Sequence, residues 1–401
     1  MIANAVSADA VRADAHRHVP AYDGVRGIAI LLVPLYHFAS SLTVLGLRSP
    51  VLNLFHFGWC GVDVFFALSG FLITGILLDT KSSPHYFKSF YARRVLRIFP
   101  LYYGALLIVI LLRAGFGDAG VWGIYGAPWA PGSLLWPALF LQNAAMTLQG
   151  TDATGITAHY WSLAVEEHFY LVWPLLIWLA PRRWAIALAL LTVAGSIMGR
   201  LLILHRGMDI NSLFSITPLR MDAVAIGALG AMLLRAQNIT VLMRAAGPIL
   251  VLTTTLLTAL FVLHKGAYQS DPILWVWAYS LTAICTTAGL IASLAGGFLA
   301  RLLSLRLLRW FGKYSFGLYV WHPIIGMLAF HSKLTVVPAG ASPATILMIT
   351  ASIFLLNLVI AWTSYHLWEK RFLDLKRYVP ATAGPAVPAR DVAALSPASG
   401  S

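Results

Sequence analysis

The sequence predicts an all-α, polytopic membrane protein with about ten transmembrane helices, and three observations lead there. The chain is 59% hydrophobic and only 11% charged, with a mean hydropathy of +0.78, whereas roughly a quarter of the residues of a soluble domain are charged. Apolar runs long enough to cross a hydrocarbon core of about 30 Å, at about 1.5 Å per residue, recur along its 401 residues. The basic residues gather in short segments between those runs, so the net charge of +13 reads as a positive-inside bias and not as a nucleic-acid surface.

Taken in order, the spans fall near 27–46, 57–78, 98–114, 161–180, 184–204, 213–234, 246–264, 273–295, 314–332 and 344–367. The first 19 residues are polar and hold no signal-peptide core, so the run after Arg26 is expected to be retained as a span. An eleventh apolar piece near 133–149 contains Pro137 and is barely long enough to cross. If it stays re-entrant or interfacial, Lys81 to Arg97, Arg182, Arg183, Arg235, Arg244, the Arg301 to Lys313 loop and the Lys370 to Arg377 segment all share the side of the N-terminus. If it crosses, that bias is lost. The expectation is therefore a multi-pass protein of the cell inner (cytoplasmic) membrane with both termini cytoplasmic. A transmembrane domain covers 20–375, after a polar N-terminus of 1–19, and a Pro, Ala and Ser rich tail over 376–401 is expected to be disordered. Cys60 and Cys285 lie in apolar stretches without CxxC spacing and suggest neither a disulfide framework nor a zinc site.

Ionisable side chains inside a span cost several kcal/mol unless paired or solvated, so each is first read as functional. The chain has three glutamates, and Glu166 and Glu167 lie in the first turns of one span. Asp63, Arg220, Asp222, His322 and His37 are similarly placed. Arg220 and Asp222 could instead neutralise one another and their neighbours, and His322, before Pro323, could cap a broken helix. On the first span, Arg26 and His37 are eleven residues apart. At about 100° per residue they share a face to within roughly 20° and stand about 16 Å apart along the axis. Glu167 and Asp63, on spans entering from the other side, are expected to reach a similar depth. Arg93, Arg94 and Arg97 stand three and four residues apart, so on a helix they form one patch suited to phosphate or to anionic headgroups.

Six ordered stretches resemble the successive signatures of the acyltransferase 3 family, the membrane acyltransferases that modify bacterial sugars and lipids. They are Arg26 with His37, "GVDVFFALSGFLI", "ARRVLRIFPLYY", "WSLAVEEHFYLVWPLL", "RMDAVAIG" and "YSFGLYVWHP". The resemblance implies acetyl-coenzyme A or another acyl-coenzyme A as donor. It implies a hydroxyl of a carbohydrate or glycolipid as acceptor, within membrane lipid. It places the family's essential pair on Arg26 and His37, its basic cluster on Arg93, Arg94 and Arg97, and its tryptophan-to-glutamate segment on Trp161 to Glu167. Some members carry a C-terminal SGNH hydrolase-like domain; none is expected here.

Acyl transfer needs a base for the hydroxyl proton, a stabiliser for the oxyanion, and a means of holding both substrates. His37 is expected as general base, with Glu167 or Asp63 orienting its ring and Arg26 supporting the oxyanion or a coenzyme phosphate. Arg93, Arg94 and Arg97 are expected to bind the coenzyme phosphates. Trp161, Tyr170, Arg220, Asp222 and His322 make up the expected substrate-binding set. Ser69 lacks the G-x-S-x-G elbow of a nucleophile, and its Ser-Gly pair suits close helix approach. No metal motif occurs, and the chemistry needs no metal. The rival reading is a secondary transporter of a small polar or lipid-linked solute, although no paired, broken halves are visible.

Overall fold

The computed structural model describes residues 19–44, 50–116, 134–235, 239–264, 271–331 and 341–380. Ten helices of at least 18 residues lie among them. They are α1 (Pro20–Val44), α2 (Gly61–Asp79), α3 (Tyr86–Phe116), α4 (Trp161–Leu179), α5 (Arg182–His205), α6 (Thr217–Leu234), α7 (Ile239–Leu263), α8 (Pro272–Ser293), α9 (Arg306–His331) and α10 (Pro343–Ser364). Eight of the ten stretches are also apolar enough to cross a membrane. The two that fall short are α4 and α9. The first carries Glu166, Glu167 and His168, and the second starts with Arg306, Arg309 and Lys313 and holds His322. Glu166, Glu167 and His322 are among the polar groups the sequence marks as misplaced in lipid.

Helix α6 is the axle of the bundle. Its Ala and Gly rich turns are buried on every side, and α2, α5 and α8 all pack on it. A Cβ on Gly70 of α2 would run into the Val224 carbonyl, and one on Gly227 would run into the Ala67 carbonyl. Small residues at that crossing let the backbones touch, which is how helices gain packing energy in lipid. The same device brings α1 onto α9, where Gly27 faces the Leu308 carbonyl and Gly312 the Asp23 carbonyl. By contrast α7 turns Val251, Leu252, Val262 and Leu263 outward, as a lipid-facing helix should.

Helix α3 starts 12 residues before the expected span, at Tyr86 and not at 98. No Gly or Pro interrupts the chain from Tyr86 to Phe99, so the basic stretch forms the opening turns of α3 itself. Pro100 sits inside it.

The eleventh apolar piece does not form a span. Within the described part of 133–149 it makes helices of four residues (Leu135–Ala138) and eight (Gln142–Gln149), joined at Phe140 with a left-handed φ of 56°. Eight residues rise only about 12 Å. Thr151–Tyr160 then leads into α4 as a 3₁₀ segment. Irregular backbone is tolerated at membrane depth where protein surrounds it. Here Gln142 donates to the Tyr102 hydroxyl and Asn143 to the Thr217 hydroxyl.

The basic segments converge on one end of the bundle. Arg235 forms an ion pair with Asp79, Arg182 donates to the last carbonyls of α6, and Lys81 donates to Ala180 O. The first five residues of the stretch expected as tail, 376–380, are among the described ones. After α10 the chain makes a π-turn at Tyr365–Glu369, a short helix at Lys370–Asp374 and a 3₁₀ turn at Leu375–Tyr378. It is then pinned to α3, because Ser89 donates to Pro380 O at 3.1 Å and Arg93 to Val379 O at 3.3 Å. The expected disorder over 381–401 and the polar stretch 1–18 lie outside the described residues. Cys60 and Cys285 are free thiols.

Candidate active site

Two neighbouring cavities follow the face of α1 that carries Arg26 and His37. The outer one, of about 600 Å³, opens at the basic end. Arg26 comes from α1, Arg93, Arg94 and Arg97 from α3, Lys313 from α9 and Lys376 from the segment after α10. Against these six cations stand the carboxylates of Asp23 and Glu166. Asp23 accepts from Arg26 at 2.6 Å. Glu166 accepts from Ser69 Oγ at 2.7 Å and from the Tyr170 hydroxyl at 3.3 Å. The Arg94 guanidinium lies 5.6 Å from the Phe90 ring and 5.4 Å from the Tyr170 ring, and Arg97 lies 5.9 Å from Phe316. Aromatic faces attract a cation without consuming its N–H donors. The cavity therefore holds an excess of positive charge with donors to spare, a setting for a phosphorylated ligand.

The inner cavity, of about 200 Å³, is lined by His37, His159, Trp161 and Arg220 among others. Val62 and Tyr319 line both cavities. The Tyr319 hydroxyl donates to His159 O at 2.6 Å and also bonds Ser162. His37 Nδ1 lies 2.9 Å from Val33 O, one turn back, and 3.4 Å from His322 Nε2. A carbonyl can only accept, so Nδ1 carries the proton and Nε2 keeps its lone pair. His322 is fixed the same way, with Nδ1 2.9 Å from Tyr319 O and 3.1 Å from Leu318 O. No group of three or more His, Cys, Asp or Glu among the described residues is arranged to hold a metal ion.

Several expected placements change. Asp63 does not hydrogen-bond the His37 ring; its carboxylate accepts from Arg220 at 2.7 Å, and both groups are buried. Asp222 does not pair with Arg220 either, because Arg200 holds it at 2.7 Å together with Ser280. The two residues thus belong to two separate cross-helix pairs, which lets each charge be matched by a closer partner. Glu167 lines neither cavity, and its Oε1 is buried without a hydrogen-bond partner. One residue is about 100° of helix, and that rotation gives the outer cavity to Glu166. Arg26 lines the outer cavity and not the inner one, which leaves the oxyanion role expected of it without geometric support. Of the expected substrate-binding set, Trp161 and Arg220 line the inner cavity, Tyr170 the outer one, and His322 backs the His37 ring.

Sequence reasoning missed Lys313, Lys376, His159 and Tyr319. Tyr319 is three residues before His322 and so on its face, a signal that was available. Lys376 was hidden in a stretch read as tail.

A model of one protein family, described as an acyltransferase domain, matches residues 19–366. OatA of Listeria monocytogenes, named a peptidoglycan O-acetyltransferase, is 29% identical over 337 residues, 77% of this chain and 50% of that protein. YrhL of Bacillus subtilis, provisionally named a peptidoglycan O-acetyltransferase, is 29% identical over 333 residues, 77% of this chain and 49% of that one. A Staphylococcus aureus protein provisionally named an O-acetyltransferase is 26% identical over 380 residues, 89% of this chain and 57% of that protein. This chain thus spans about half the length of these relatives. No solved structure matches it. With the match running through Arg26, His37, the α3 arginines, Glu166 and His322, the chain belongs to the acyltransferase 3 family.

Proposed function

We propose that the protein is a membrane O-acetyltransferase that moves an acetyl group from acetyl-coenzyme A to a glycan hydroxyl. The names of its relatives favour peptidoglycan or a similar surface sugar as acceptor. One observation carries the reading: a cation-lined cavity and a histidine-bearing cavity adjoin along α1 and share Val62 and Tyr319. Arg26, Arg93, Arg94, Arg97, Lys313 and Lys376 hold the coenzyme phosphates, and the thioester arm passes Tyr319 toward His37. His37 Nε2 accepts the hydroxyl proton in the transition state. The Val33 carbonyl and His322 Nε2 hold its Nδ1–H, so orientation comes from a carbonyl and a second imidazole and not from a carboxylate. The donor enters from the cytoplasm, on the side of the basic segments, as the charge bias favours.

The test uses purified protein in lipid nanodiscs with acetyl-coenzyme A as donor and chitopentaose, a soluble N-acetylglucosamine oligomer, as acceptor. The expected result is free coenzyme A thiol together with O-acetylated oligosaccharide by mass spectrometry, both lost in His37→Ala. Product formation that persists in a folded His37→Ala protein refutes the assignment.

A further inference from the structure

Once Arg26 is placed in the outer cavity, nothing named so far meets the negative charge that develops on the thioester carbonyl beside His37. Arg220 is the cation that shares the inner cavity with His37 among its described lining residues. It opens α6. Its Nη2 donates to Asp63 at 2.7 Å, while its Nε and Nη1 are buried without any hydrogen-bond partner. The guanidinium carbon lies 3.5 Å from the Tyr279 ring centroid and 5.3 Å from that of Trp161. Asp222, two residues on, is taken up by Arg200 and Ser280 and does not compete for it. A buried arginine that uses one nitrogen on a carboxylate and leaves two nitrogens without partners is expensive unless a ligand completes it.

We propose that Arg220 is the oxyanion-stabilising residue of the inner cavity, its unpartnered Nη1 donating to the carbonyl oxygen of the acetyl thioester. This rests on the acetyl-transfer reading above. The acceptor oxygen forms a bond to the carbonyl carbon as the π pair moves onto the carbonyl oxygen facing Arg220, and His37 Nε2 takes the hydroxyl proton. Collapse restores the C=O bond and breaks the C–S bond. The departing coenzyme A sulfur takes the proton back from His37. A preorganised, buried cation stabilises charge that exists only in the transition state, so it acts on kcat and hardly on donor binding. Asp63 then has the role of a positioning residue that holds the guanidinium against Tyr279.

Removing Arg220 alone strands Asp63 as an unpaired buried charge and risks misfolding. The test therefore compares wild type, His37→Ala and the neutral, hydrogen-bonding double variant Asp63→Asn/Arg220→Gln in nanodiscs, with acetyl-coenzyme A and chitopentaose. Expected is a folded, monodisperse double variant whose KM for acetyl-coenzyme A stays within about threefold and whose kcat falls by about 100-fold or more. If wild type turns over, His37→Ala does not, and the double variant keeps its kcat within threefold, the Arg220 role is overturned while the function stands. A wild type without turnover overturns both. Should the double variant fail to fold, Arg220→Lys decides. A tenfold or larger loss of kcat at unchanged KM supports the role, because an ammonium paired to Asp63 cannot reproduce the fixed second donor of the guanidinium. Wild-type kcat in Arg220→Lys overturns it.

Discussion

Arg94→Gln isolates the work of the outer cavity from that of the inner one. The Arg94 guanidinium is held over the Phe90 and Tyr170 rings and lines the outer cavity, and its Nε is buried without a partner. It does not line the cavity that holds His37. A hydrogen bond to a charged group contributes about 1.5–3 kcal/mol. At about 1.4 kcal/mol per tenfold, losing one such bond to a coenzyme phosphate raises KM for acetyl-coenzyme A by about 10- to 150-fold. The neighbouring Arg26, Arg93 and Arg97 partly compensate, which places the result toward the lower end. The kcat should stay within about threefold, because donor binding energy realised equally in ground and transition state leaves kcat alone. The assay is thiol release in nanodiscs over a range of acetyl-coenzyme A concentrations, checked by isothermal titration of coenzyme A itself. An unchanged KM, or a fall in kcat at constant KM, would refute the division of labour between the two cavities.

Glu166→Gln should lower kcat/KM for acetyl-coenzyme A by tenfold or more, since it dismantles the Ser69 and Tyr170 cluster on the outer cavity wall, whereas Glu167→Gln should stay within about threefold; equal losses in steady-state assays would contradict the placement. His322→Ala should reduce kcat by about tenfold with KM preserved, because Val33 O still holds the His37 Nδ1–H after the second imidazole is gone; the same assays read it. Gly227→Val should destabilise the protein by about 1–3 kcal/mol through overpacking, as its side chain meets the Ala67 carbonyl at the α2–α6 crossing. Thermal denaturation in detergent measures it, and an unchanged midpoint would mean the helices are not in contact there.

The helical frame was legible because lipid imposes a simple rule: ten largely apolar stretches of adequate length become ten long helices, eight of them apolar enough to cross, and the shorter eleventh, broken at Phe140, does not. The Arg26 to His37 face was legible too, since it depends only on the pitch of one helix. Contacts between helices were less so. The sequence offered Arg220 as a partner for Asp222, whereas the pairing of Asp63 with Arg220 and of Asp222 with Arg200 is set by how α2, α5, α6 and α8 are rotated against one another. Glu166 and Glu167 differ by one residue, and only the rotation of α4 decides which meets Ser69. Lys376 escaped notice because its stretch looks like linker, and what orders it is a pair of backbone carbonyls that carry no sequence signature.

Those carbonyls fix more than a tail. With Ser89 and Arg93 gripping Val379 and Pro380, anything joined downstream of residue 380 starts its path beside the outer cavity, which Arg93 lines. A bulky fusion partner there would crowd that cavity, and a small fluorophore would make it a reporter of occupancy.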